Sequence, residues 1–174
     1  MTLLLKQIFG LVKLLNSDKG TNQIASGIAC GLILGLTPAL SLQSLLVFVC
    51  LFFFRIQMGA AFLAAFFFAI PAYLLDPYLH QVGVMVLEQP GLRPVFTDLY
   101  NMPIIPFTRF NNSVVMGSGI VAILLAPVVF VVTKILIQKY REKVVSKFEK
   151  SKAWNAVKAT AFFKWYAKYD ELAG

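Results

Sequence analysis

Charged side chains are missing from three long stretches of the chain. Gly20 to Phe54 runs for 35 residues without one, Ile56 to Leu75 for 20, and Phe110 to Thr133 for 24. About 20 apolar residues cross a bilayer as a helix, so the pattern predicts an all-α membrane protein. Ahead of the first stretch, Leu4, Ile8, Leu11 and Leu15 share one helical face and Lys6, Gly10, Lys13 and Ser17 the other. That spacing predicts an amphipathic helix over residues 1–18, lying in the interface. A signal peptide fits poorly, because the positive charges are interleaved with apolar residues and no small-residue cleavage site follows.

The apolar stretch 24–54 is too long for one span, and Leu36-Thr37-Pro38 breaks it. A residue before proline is pushed out of helical geometry. The halves Ile24–Leu36 and Ala39–Phe54 would be about 20 and about 24 Å long as helices, against a core of roughly 30 Å. Two short helices joined by a polar tip (Thr37, Ser41, Gln43, Ser44) predict a re-entrant helical hairpin. Backbone exposed at that depth must be buried in protein or face water.

Residues 57–75 read as a full span that Asp76-Pro77-Tyr78 closes, and residues 112–133 as a second, kinked by Pro127 and ended by Lys134. Between them, 76–109 reads as an outer loop with a short helix over 78–88 and a Pro-rich remainder from Leu99 to Phe107. Residues 134–174 read as a basic amphipathic helix with interleaved aromatics, Trp154 and Trp165 among them. The layout is therefore an interfacial helix over 1–18, a membrane domain over 19–133 and a cytoplasmic tail over 134–174.

Composition agrees. Hydrophobic residues make up 59% and charged residues 14%, against roughly 45–50% and 25% in soluble domains. The net charge is +8, and ten basic against four acidic side chains lie at Lys134 or later. Basic residues beside a span mark the cytoplasmic side and attract anionic head groups; a nucleic-acid partner is not expected. With both termini Lys-bearing and cytoplasmic, the number of crossings must be even. A hairpin returning at Arg55 plus two spans satisfies this. Cys30 and Cys50 lie inside apolar runs and read as small membrane-core residues.

Several constellations are candidates for function. Gly27, Gly31 and Gly35 leave a smooth groove on one helix face, suited to close helix packing, with Gly59, Ala60, Ala64 and Ala65 as a facing surface. A ligand-lined groove or gate is the sharper alternative. At the hairpin tip, Gln43 could satisfy backbone freed by Pro38 or bind a head group or solute. Arg55, Lys134, Lys139 and Arg141 are candidate head-group contacts. Asp76 and His80 are four apart and would meet on a helix, as an interfacial hydrogen bond or a partner contact; Trp154 and Trp165 could serve a partner too. One His and scattered acids do not form a metal site or a catalytic triad, no phosphate-cradling loop occurs, and no cofactor is expected. No acid lies within the apolar stretches, which disfavours a coupled transporter.

The motif Ile24-Ala25-x-Gly27-x-Ala29-x-Gly31-x-x-x-Gly35-x-x-Pro38, followed by Gln43, resembles the Gly-rich opening of a bacterial membrane family known only as a domain of unknown function. The resemblance covers roughly residues 18–87. That family normally carries Asn-Pro after the second apolar stretch, where this chain has Ile70-Pro71, so a polar role for the Asn does not carry over. The basic aromatic tail resembles a small subgroup from outer-membrane-bearing bacteria, whose genes tend to pair with that of a larger envelope protein. The resemblance implies an inner-membrane protein and a two-component system, and supplies no catalytic residues.

The expectation is a non-enzymatic inner-membrane subunit or anchor for a larger envelope protein, in lipid transport between membranes. The alternative is a small transporter or channel built around the hairpin, which needs a homo-oligomer because two spans cannot enclose a pathway.

Overall fold

The computed structural model describes residues 19–39 and 41–145, together with Gln7, Gly10, Leu14, Leu15 and Ser17. The expected interfacial helix falls mostly outside the described residues. So do Trp154, Trp165 and the tail from residue 146 onward. The chain divides into two compact units, Met1–Ile135 and Leu136–Gly174.

Every regular element among the described residues is helical: α1 (Thr21–Leu36), α2 (Leu42–Phe53), α3 (Met58–Leu87), α4 (Arg93–Tyr100), a 3-10 turn (Ile105–Thr108) and α5 (Ser113–Tyr140), which runs into a π-helical turn at Arg141–Val145. Two of these, α3 and α5, are long and apolar enough to cross a membrane.

The predicted hairpin corresponds to α1 and α2. Thr37 is extended at ψ 145°, as the steric demand of Pro38 requires. Ser41 then caps α2, its hydroxyl accepting from Ser44 N at 3.3 Å. The loop after α2 comes back to where α1 began, since Gln57 N donates to the Gln23 carbonyl at 3.1 Å. Both ends of the hairpin therefore lie at one end of the bundle.

α1 runs parallel to α3. Gly27 faces Gln57 and Ala60, Gly31 faces Ala61 and Ala64, and Gly35 faces Ala65 and Phe68. Both helices advance by four residues in the same sense. α5 runs antiparallel to α3, with Ser113 against Gly83, Gly117 against Leu79, and Ala122 clustered with Ala72. One core cluster joins Leu32, Leu36, Ala72 and Ala122; another joins Val47, Leu51 and Ala61.

Three boundaries differ from expectation. Asp76-Pro77-Tyr78 does not close the first span: α3 runs unbroken through Pro71 and Pro77 to Leu87, 30 residues in all and about 45 Å. Each proline removes one helical hydrogen bond. Burial of Ala72, Leu79 and Gly83 beyond the first proline outweighs that local loss, as tertiary packing can. The separate helix expected over 78–88 is part of α3, and the loop remainder contains α4 and the 3-10 turn. Lys134 does not end the second span either, because α5 continues to Tyr140. Lys is a good helix former, so its charge ends the apolar run and not the helix.

Candidate functional site

The tip of the hairpin is held by hydroxyls. Thr37, Ser41 and Ser44 are buried. Thr37 Oγ1 donates to Ile33 O at 2.6 Å, and Ser41 Oγ donates to Ser44 Oγ at 3.1 Å. Ser44 Oγ reaches both Pro38 O (3.1 Å) and Thr37 Oγ1 (3.0 Å), with one proton to direct to either. Buried polar groups need such partners, because an unmade bond there costs roughly 1–3 kcal/mol. The tip is thus a turn whose short side chains bond one another and the carbonyls of Ile33 and Pro38.

Gln43 does not bond the backbone around Pro38, as one sequence reading had it; there Ser44 Oγ donates to Pro38 O and Thr37 Oγ1 to Ile33 O. Instead its Nε2 reaches across to Val115 O on α5 at 3.5 Å, a weak contact, while its Oε1 is buried without a hydrogen-bond partner. The amide lies against Gly119, where any Cβ would collide with it. Gly119 therefore makes room for Gln43, a complementarity that their separation in sequence hides.

The expected pairing of Asp76 with His80 is replaced by two separate environments. His80 Nδ1 hydrogen-bonds to Ser113 Oγ at 2.5 Å, tying α3 to the start of α5. Asn112 caps that start, its Oδ1 accepting from Val114 N (2.9 Å) and Val115 N (3.2 Å). Asp76 turns to the hairpin tip. It is half-buried and lines a depression of about 230 Å³ with Gly35, Leu36, Thr37, Pro38, Tyr73 and Val114 among its neighbours.

Gly27, Gly31 and Gly35 are filled by α3. A Cβ on Gly27 would sit 2.6 Å from Gln57 O, and one on Gly35 would sit 2.7 Å from both Ala65 O and Phe68 Cβ. The glycines are the packing seam of the fold, and α3 leaves no room there for a ligand. Gly59 is not part of that seam; its added Cβ would meet only Gln57 Nε2, at 3.6 Å. Sequence reasoning missed a second seam at Gly83 and Gly117, where α3 and α5 touch through backbone. The run Gly117-Ser118-Gly119 inside an apolar stretch was its signal.

Next to the tip residue Ser41, an apolar groove of about 440 Å³ runs between α2 (Leu42, Leu45, Phe48) and the 3-10 turn (Ile104, Phe107). Arg109 follows that turn in the left-handed region at φ 56°. Arg55 is exposed at the base of the hairpin and Lys134 is half-buried on α5, while Lys139 and Arg141 belong to the second unit.

Residues 8–145 match the family described as "Uncharacterized protein conserved in bacteria (DUF2062)". The chain belongs to this family. An uncharacterized protein of Treponema pallidum (strain Nichols) is 31% identical over 119 residues, covering 68% of this chain and 73% of the relative. No solved structure matches the chain. The DUF2062 region takes in the hairpin, both seams and both long helices; the basic aromatic tail from residue 146 onward lies beyond it.

Proposed function

We propose that this DUF2062 protein is a non-enzymatic, multi-pass subunit of the bacterial inner membrane that anchors a larger envelope protein and serves lipid transport between membranes. The observation that carries the reading is the uncovered face of α5. Leu124, Val128, Val131 and Ile135 recur at helical spacing on one side, exposed by 69%, 56%, 51% and 43%. Within its membrane-length window α5 is only 11% buried, against 28% for α3. Such a ridge of branched aliphatic side chains suits packing against a second apolar helix. The groove beside the 3-10 turn, walled by exposed Leu45, Ile104 and Phe107, supports the lipid part, since its lining suits an acyl chain. The tip hydroxyls are committed to holding the turn, which favours a structural role over a catalytic one. In this arrangement both termini are cytoplasmic, and basic residues at the hairpin base and beyond α5 rest against anionic head groups.

The test places a photo-crosslinking residue at Val128 or Val131 in cells that naturally make the protein. A cross-link to one large envelope protein, together with loss of that protein from the membrane when this chain is deleted, is the expected result. Cross-links only to lipid, with envelope proteins undisturbed by the deletion, would overturn it.

A second reading, a small oligomeric transporter, is favoured by one observation, the carboxylate of Asp76 at the tip of a hairpin of two short helices. Reconstituted protein that stays monomeric and passes no solute or ion would remove it.

A further inference from the structure

Segment 102–109 folds back beside the hairpin instead of standing away from it. Ile104 and Phe107 form one wall of the apolar groove of about 440 Å³, and Leu42, Leu45 and Phe48 of α2 form the other. Those three residues cover the first two turns of α2, about 9 Å of helix. α2 lies wholly within the charge-free run Gly20–Phe54, so the segment reaches the depth of an element built for lipid. Its side chains suit that depth. Ile104 is 73% and Phe107 82% exposed, and residues 99–108 carry no charge.

The backbone suits it as well. Irregular chain in hydrocarbon has no water to bond its polar groups. Pro103 and Pro106 bring no N–H. Phe107 N donates to Ile104 O at 3.1 Å and Arg109 N to Pro106 O at 3.0 Å, while Thr108 Oγ1 donates to Ile105 O at 2.7 Å.

The groove itself says what can lie in it. Among the described residues its polar lining is Ser41 and Thr108. Both hydroxyls are engaged, Ser41 with Ser44 and Thr108 with Ile105. A polar ligand or an extended peptide would find no side-chain partner there. An α-helix, about 10–12 Å across with its side chains, is too broad for a space of this volume. A hydrocarbon chain is apolar and narrow enough.

We propose that segment 102–109 dips into the lipid leaflet farther from the hairpin base and, with α2, clasps one acyl chain of a bilayer phospholipid. Arg109 comes directly after Thr108 of the lining, is exposed, and has no ion pair among the described residues. Its guanidinium is suited to the phosphate of such a lipid. The proposal rests on the lipid part of the reading above and not on its partner part.

Two measurements on the full chain test it. For depth, Phe107→Trp is made with Trp154 and Trp165 replaced by Phe, and the protein is placed in phosphatidylcholine–phosphatidylglycerol vesicles with brominated acyl chains. Emission should shift to the blue of tryptophan in water and be quenched by the brominated chains more than by iodide. Emission as in water, quenched by iodide and not by bromine, would overturn the insertion. For the clasp, native mass spectrometry of protein released in mild detergent should show one phospholipid per chain. Leu45→Trp fills the groove and should lose that lipid. Leu46→Trp, exposed on α2 but outside the groove lining, should keep it. No retained lipid, a retained free fatty acid in its place, or equal retention in Leu45→Trp would sink the clasp. Neither measurement touches the α5 ridge, so cross-linking at Val128 can fail while the clasp holds, and the reverse.

Discussion

The backbone N–H of Gln57 donates to the carbonyl of Gln23 at 3.1 Å, so the residue that leads into α3 is fastened to the first turn of α1. Everything between them leaves from and returns to one end of the bundle. α1 descends beside α3 for about 24 Å, and α2 comes back. If the bundle sits in a bilayer, Asn22 and Arg55 should face the same aqueous side and Gln89 the other. Single cysteines at these three positions, with Cys30 and Cys50 replaced by Ala, should divide accordingly when whole cells are treated with a membrane-impermeant maleimide. Labelling of positions 22 and 55 from opposite sides would mean that the hairpin crosses.

The glycine seam should be intolerant where α3 fills it and tolerant one position away. A Cβ on Gly31 would meet Ala64 Cβ at 2.5 Å and collide with the Ala61 carbonyl, both parts of a rigid helix. Gly31→Ala should cost about 1–3 kcal/mol, the usual range for overpacking. Gly59→Ala has room, and it gains helix propensity of about 0.5–1 kcal/mol. Reversible unfolding in mixed detergent should therefore rank Gly59→Ala at or above the parent and Gly31→Ala well below it.

The second seam was not legible in the sequence in the way the first was, and the difference is physical. Three glycines at intervals of four mark a helix face by themselves. Gly83 and Gly117 are single positions on different helices, and only the antiparallel register of α3 and α5 brings them together. The all-helical class and the two long apolar helices could be read from charge-free runs, because lipid demands long apolar segments. The end of α3 could not, because local proline penalties were weighed without the packing of Leu79 and Gly83 beyond them. Asp76 was misplaced for the same reason. Spacing of four offered His80 as its partner, while tertiary structure gave His80 to Ser113.

That exchange can be measured. His80→Ala, Ser113→Ala and the double variant form a cycle whose coupling should be about 0.5–1.5 kcal/mol, the net worth of a side-chain hydrogen bond. Asp76→Ala combined with His80→Ala should be additive. Coupling in the second cycle and none in the first would restore the pairing that sequence spacing suggests.

Within the tip, the smaller polar residue should matter more than the larger one. Ser44 Oγ serves Pro38 O, Thr37 Oγ1 and Ser41 Oγ at 3.0–3.1 Å. Ser44→Ala would leave buried partners unmatched at a cost of about 1–3 kcal/mol. Gln43 makes only the 3.5 Å contact to Val115 O and holds a buried Oε1 with no partner. Gln43→Met keeps the volume facing Gly119 and removes that unsatisfied oxygen, so it should be neutral or mildly stabilising. Unfolding of the two variants side by side decides the matter. If Gln43→Met is the more damaging, the amide is making an interaction stronger than its geometry in this bundle indicates, and Gln43 moves ahead of Ser44 as the residue around which the tip is built.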